Sequence, residues 1–258
     1  MDVKKRANII TEWISNYCDS SSYKPKALVV GISGGIDSSV VSTLCANTGK
    51  KTIVLTMPIK QIKSQHDLSL SHAKWLKQKY NNVEHHLLEM DKIFTSFSQV
   101  LNKFDNEHGY ANSRARLRMA TLYQVAAANS GIVVGTGNKV EDFGVGFYTK
   151  YGDGGVDISP IADLLKSEVF ELARYHKIID EIISAKPTDG LWNDNRTDEE
   201  QIGATYDELE KAMLQESKSD INLSQREIEV MSIYKSFNSS NRHKMDPIPV
   251  CAIPKEYI

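Results

Sequence analysis

Cysteine is scarce: Cys18, Cys45 and Cys251 are the only three in 258 residues. They form no CxxC pair and no even set, which excludes a disulfide scaffold and offers no cysteine metal or redox site. That usage fits a reducing compartment, and the cytoplasm is the expected one. Charge of one sign is equally missing. The chain has 31 Lys and Arg against 33 Asp and Glu, a net of −2, which argues against an extended nucleic-acid or membrane surface. No apolar run approaches the roughly 18 residues that a membrane helix needs. The opening MDVKKRANIITEWI mixes charge into every turn, so it reads as an amphipathic helix and not as a signal peptide. Internal repeats, low-complexity tracts and linkers are also lacking, and a single domain over 1–258 is expected.

What is present is alternation. Short apolar runs at 27–32, 52–57, 83–88 and 132–136 read as strands. Stretches at 38–46, 64–79, 94–102 and 113–129 carry helical periodicity or composition, as does 163–176 after a loop-rich 141–160. Strands separated by helices imply parallel crossovers, hence an α/β fold with a doubly wound, mostly parallel sheet flanked by helices. Thr197-x-x-Glu200 and Ser224-x-x-Glu227 look like capping boxes that open late helices. The polar, turn-rich segment at about 185–198 reads as a mobile lid.

The stretch LVVGISGGIDSSVV, residues 28–41, breaks a buried strand with glycines before a helix. It has no GxxxxGK[ST] lysine and no GxGxxG spacing. Its backbone N–H groups, its hydroxyls and the positive end of the helix suit a pyrophosphate. Asp37, one turn into that helix, would repel phosphate unless a cation stood between them, and magnesium is the natural one.

SGGIDSS resembles the signature of the N-type ATP pyrophosphatases, which cleave ATP between the α- and β-phosphates. Within that superfamily, Val134 to Glu141 and the GFYTKYGDGGVD run at 146–157 resemble the ammonia-dependent NAD synthetases. So do the segments 112–119, 165–170, 186–189 and 242–245, which fall in the family's order and extend the resemblance over nearly the whole chain.

The resemblance implies a Rossmann-like fold and an ATP-dependent amidation of deamido-NAD by ammonia. The products are NAD, AMP and pyrophosphate, formed through an acyl adenylate as the last step of NAD biosynthesis. It assigns Gly31, Ile32, Ser33, Gly34, Gly35, Ile36, Asp37, Ser38, Thr136, Lys166 and Thr188 to ATP. Asp37 and Glu141 become the magnesium ligands. Arg116, Lys150, Asp157, His243 and Lys244 become contacts to deamido-NAD, whereas Arg114 and Arg118 read as structural or surface charges. Asp153 is the expected catalytic residue: a buried carboxylate could bind ammonium and accept its proton, leaving ammonia to attack. A homodimer is implied by the resemblance alone.

Two departures stand out. The segment 57–66 lacks the PYGVQ-like run of close relatives, and positions 137 and 138 are Gly and Asn where many have Asp-His. A GMP synthetase would need a glutaminase domain and a further dimerisation module, for which 258 residues leave no room. A tRNA-modifying relative would show extra basic surface or a cysteine pair. A non-catalytic nucleotide sensor would not need a second metal carboxylate. No glutaminase-like segment is legible before Ser33, so ammonium is the expected nitrogen donor.

Overall fold

Each apolar run becomes a strand of one parallel sheet: β1 (Ala27–Gly31), β2 (Lys51–Thr56), β3 (Val83–Leu87) and β4 (Ile132–Val133). The computed structural model describes residues 2–187, 197–216 and 222–255. Strand order is β3-β2-β1-β4, with every pair parallel. The chain winds outward from β1 to β3, then returns to lay β4 on the other side of β1. The reversal puts a crevice at the carboxyl ends of β1 and β4, where open α/β sheets bind ligands.

The helices cover both faces. α1 (Val3–Ser20), α2 (Ile36–Asn47), α3 (Lys63–Lys79) and α6 (Lys166–His176) pack one side, around Ile14, Leu28, Val40, Leu44, Val54 and Leu172. α4 (Asp91–Val100) and α5 (Glu107–Ala128) pack the other, around Val29, Ile53, Leu55, Phe94 and Val133. Leu28, Val29 and Val30 follow one another in β1 and are all fully buried, as a strand covered on both faces requires.

Beyond the sheet lie α7 (Asp180–Ser184), α8 (Asp198–Ile202), α9 (Tyr206–Gln215) and α10 (Gln225–Met245). A third apolar cluster of Val140, Val145, Ile202, Leu209, Val230 and Tyr234 joins α8, α9 and α10 to a π-helix at Lys139–Val145. Both predicted capping boxes are present, Thr197 with Glu200 and Ser224 with Glu227. Among the described residues, no helix is long and apolar enough to cross a membrane.

Several boundaries differ from the sequence reading: α4 spans Asp91–Val100 where 94–102 was expected, β4 ends at Val133 ahead of 136, and α5 and α6 differ for local reasons. α5 starts at Glu107, ahead of 113, because the Asn106 side chain accepts from Gly109 N–H at 2.7 Å. α6 starts at Lys166, behind 163, because Glu168 accepts from Leu165 N–H at 2.9 Å and fixes the entry there. The region expected to be loop-rich opens with the π-helix, whose wider turn has no 3.6-residue signal in KVEDFGV.

Candidate active site

The loop after β1 is held by its own hydroxyls. Ser33 N–H donates to Ser38 Oγ at 3.2 Å, Gly35 N–H to Ser33 Oγ at 3.1 Å, and Ser38 Oγ to the Gly35 carbonyl at 3.0 Å. Gly34 adopts φ +93°, and a Cβ there would stand 2.6 Å from the backbone oxygen of Gln65. Glycine therefore lets α3 seat directly on the loop. α2 opens at Gly35 with no side-chain cap, which leaves its first N–H groups for an anion.

Asp37 and Glu141 come from opposite halves of the chain and converge on Lys166. The Lys166 Nζ lies 2.6 Å from Asp37 Oδ2 and 2.8 Å from Glu141 Oε1, with its side chain only 3% exposed. Asn138 aims the pair. Its Oδ1 accepts from Val140 and Glu141 N–H, capping the π-helix, and its Nδ2 donates to Asp37 Oδ1 at 3.0 Å. Tyr206 OH reaches Glu141 Oε1 at 2.5 Å and Asp198 Oδ2 at 3.2 Å, while its ring lies 4.8 Å below the Lys166 ammonium.

Burial opposes charge on all three groups, and the pairing overrides it unevenly. Burial works against an ionised Glu141, but Lys166, Tyr206 and Asn138 together hold its carboxyl below the usual range. Asp37, with fewer donors and Glu141 nearby, is pushed up by burial. Burial would lower Lys166, yet the two carboxylates carry it above an ordinary lysine. Among the described residues, no cluster of three or more His, Cys, Asp or Glu could hold a metal ion. Two converging carboxylates beside a phosphate loop suit magnesium, which keeps waters and takes phosphate oxygens as its other ligands.

A cavity of about 780 Å³ opens from this point and is lined by the loop, Thr136, Glu141, Lys166 and Asp153. Asp153 lines the cavity but is exposed to it, where a buried carboxylate was expected, and its Oδ1 accepts from Thr149 N–H at 3.0 Å. Desolvation by the surrounding cavity walls pushes its carboxyl up, which makes the ionised form a better proton acceptor. Asp142, unassigned from the sequence, also lines the cavity, and burial followed by repulsion from Asp153, Glu141 and Asp37 holds its carboxyl well above normal.

Four of the five residues expected on the dinucleotide side are brought together. Arg116 Nε donates to the Lys150 carbonyl at 3.3 Å, Lys150 Nζ donates to the His243 carbonyl, and Lys244 Nζ donates to the Gly146 and Tyr148 carbonyls at 2.8 Å each. All four line the cavity. Asp157 does not. Its carboxylate accepts from Val133 N–H at 2.7 Å and from Tyr123 OH at 3.1 Å, tying the following loop to β4. Arg118 donates to the Met57 carbonyl at 3.0 Å, as a structural charge would. Thr188 and most of the expected lid, 188–196, lie outside the described residues. At its base, Asp198 N–H donates to the Pro187 carbonyl at 3.2 Å.

Sequence reasoning missed Tyr206 and Asp142 and marked Asn138 only as a departure. The capping box Thr205-x-x-Glu208 was a visible signal for a helix beginning at Tyr206. No local pattern pointed that tyrosine at Glu141.

Residues 6–247 match the family model of NAD synthase. A curated NH3-dependent NAD+ synthetase of Archaeoglobus fulgidus is 33% identical over 257 residues, covering 98% of each chain. Among solved structures, an NMN synthetase from Francisella tularensis superposes with TM-score 0.85 at 30% identity, covering 99% of both chains. An NH3-dependent NAD synthetase from Campylobacter jejuni gives TM-score 0.79 at 26% identity, covering 98% of this chain and all of that one.

Proposed function

The chain belongs to the NAD synthase family, and from that premise we propose that it makes NAD from deamido-NAD, ATP and ammonia. The observation that carries the reading is a single cavity holding an anion loop at one end, Asp37, Glu141 and Lys166 beside it, and Asp153 further in. The first N–H groups of α2, with the loop 31–38 wrapped around them, receive the triphosphate. Asp37 and Glu141 would hold magnesium, which supplies positive charge between the carboxylates and the phosphates. The nicotinate carboxylate attacks the α-phosphorus, pyrophosphate leaves, and Lys166 stabilises the charge that grows on it. Asp153 takes a proton from ammonium. The ammonia so formed attacks the acyl adenylate, and AMP leaves. No residue becomes a covalent nucleophile, so positioning and charge carry the rate.

Arg116, Lys150, His243 and Lys244 form the dinucleotide side of this reading, with Thr136 and Thr188 on ATP and Asp157 acting through β4. We place the whole of 1–258 in one domain and the enzyme in the cytoplasm, where its free cysteines remain reduced. A homodimer is supported by apolar side chains left exposed on and after α4: Ile93, Val100 and Phe104.

The Francisella neighbour favours a second reading, in which the acid amidated is nicotinate mononucleotide. One assay separates the readings: each acid paired with ammonium or with glutamine, following amide formation and AMP release. Deamido-NAD with ammonium should give the highest kcat/KM, and glutamine almost none. Amidation of the mononucleotide alone would establish the second reading, and equal rates with both nitrogen donors would refute the assignment of ammonia.

A further inference from the structure

Lys166 stands where the reading above needs a metal. Its Nζ touches Asp37 Oδ2 at 2.6 Å and Glu141 Oε1 at 2.8 Å, the two carboxylates that converge beside the phosphate loop. We infer that the Lys166 ammonium is a resident counter-cation, holding the magnesium position in the nucleotide-free enzyme and surrendering it when metal and ATP arrive together. The inference rests on the reading of this site as a magnesium–ATP site.

Three observations support it. First, the carboxylates are brought together by the fold and not by the lysine alone. Asn138 holds Asp37 from the π-helix cap, and Tyr206 holds Glu141 from α9. Two carboxylates fixed to point at one spot need a cation there at every stage, because like charges so close are costly in a partly buried site. Second, the lysine is well seated: it is 2% exposed and rests on the Tyr206 ring. A favourable cation–π contact and two charged partners make it a real competitor for a divalent ion, not a spectator.

Third, the two cations cannot share the position. Magnesium would draw its ligand oxygens to about 2.0–2.1 Å, and the ammonium already occupies one oxygen of each carboxylate, Asp37 Oδ2 and Glu141 Oε1. Lys166 is the first residue of α6, so rotation about its side-chain bonds can carry Nζ toward the phosphate loop without moving the helix. The arriving triphosphate then gives the displaced ammonium a new partner. Metal without nucleotide offers it none. Exchange therefore makes binding ordered: nucleotide and metal enter together, and the bare ion is resisted.

The test is Mn2+ binding followed by electron paramagnetic resonance, in wild type and in Lys166→Gln, without nucleotide and with α,β-methylene-ATP. Wild type should bind Mn2+ weakly alone and firmly with the analogue. Lys166→Gln should bind bare Mn2+ tighter than wild type by roughly tenfold or more, and its melting temperature should rise with the ion while that of wild type does not. If Lys166→Gln folds only when Mn2+ is present, that dependence supports the inference in the same way. Equal nucleotide-free Mn2+ affinity in the two proteins, with no difference in thermal response, would overturn it. Failure of wild type to bind Mn2+ even with the analogue would instead refute the magnesium–ATP reading on which it rests.

Discussion

His72 should make the fold acid-sensitive in a way that one substitution removes. It is fully buried on α3, and its Nε2 lies 2.9 Å from Ser42 Oγ, which in turn donates to the Ser38 carbonyl at 2.7 Å. That chain fits a neutral ring with its proton on Nε2. Nδ1 has no hydrogen-bond partner, so protonation would create a buried N–H with nothing to receive it. Burial lowers the ring from an ordinary histidine to about 3. The folded pKa lies below the unfolded one, so as pH falls the unfolded chain takes the proton first, and stability drops between about 6.5 and 3. At pH 5 the loss from this one group is about 2 kcal/mol, or about 4–8 °C in melting temperature for a chain of this size. His72→Gln keeps a donor for Ser42 but cannot ionise. Denaturant unfolding at pH 7 and pH 5 should show the variant losing about 2 kcal/mol less than wild type on acidification. His176, lowered to about 4 by burial, acts in the same direction in both proteins and cancels. Identical pH dependence in the two would refute the argument.

Other outcomes follow from the site. Gly34→Ala places a methyl 2.6 Å from the Gln65 oxygen at φ +93°; calorimetry should show lost ATP-analogue binding, with stability reduced by about 1–2 kcal/mol or more. Asp37→Asn removes one of the two converging charges and should abolish pyrophosphate release while leaving circular dichroism unchanged; near-normal turnover at ordinary magnesium would contradict its role. Asp153→Asn keeps the size but loses the proton acceptor, so amide formation should fall by roughly 10²-fold or more, with ATP-analogue affinity preserved. Cys45→Ser puts a hydroxyl into a fully buried position of α2 and should lower stability by about 1–3 kcal/mol while kcat stays the same.

Much of the frame was legible because it obeys local rules. The run at 27–32 became β1 at Ala27–Gly31, and the α1 periodicity buried Ala7, Ile10, Ile14 and Cys18 on one side. The glycine break before Asp37 marked the anion loop for a backbone reason, since Gly34 alone tolerates the approach of α3. Glu141 and Lys166 came from family resemblance, since a glutamate or lysine on a helix carries no mark of burial in its own neighbourhood. The π-helix was hidden because its two buried valines, Val140 and Val145, are five apart and its third buried residue, Gly144, has no apolar side chain, a pattern that neither the helical nor the strand period would register.

The C-terminal helix shows why the rest resisted local reading. Asn241 donates to the Val145 carbonyl at 2.9 Å, Asn238 to Gly144 at 2.7 Å, and Lys244 to Gly146 and Tyr148. These are carbonyls at and beyond the end of the π-helix, where a helix runs out of its own donors. Side chains at i, i+3 and i+6 on α10 lie on one face, so a single helix supplies them all. As bare sequence, Asn-Arg-His-Lys reads as a basic surface turn, because the partner of each side chain is a backbone oxygen and backbone oxygens have no letter in the sequence. The consequence is functional. The segment that carries Glu141 at one end and leads to Asp153 at the other is fastened at Tyr148, 96 residues earlier in the chain than the Lys244 that holds it. Lys244 thus fixes the stretch between Glu141 and Asp153 at the same time as it lines the cavity.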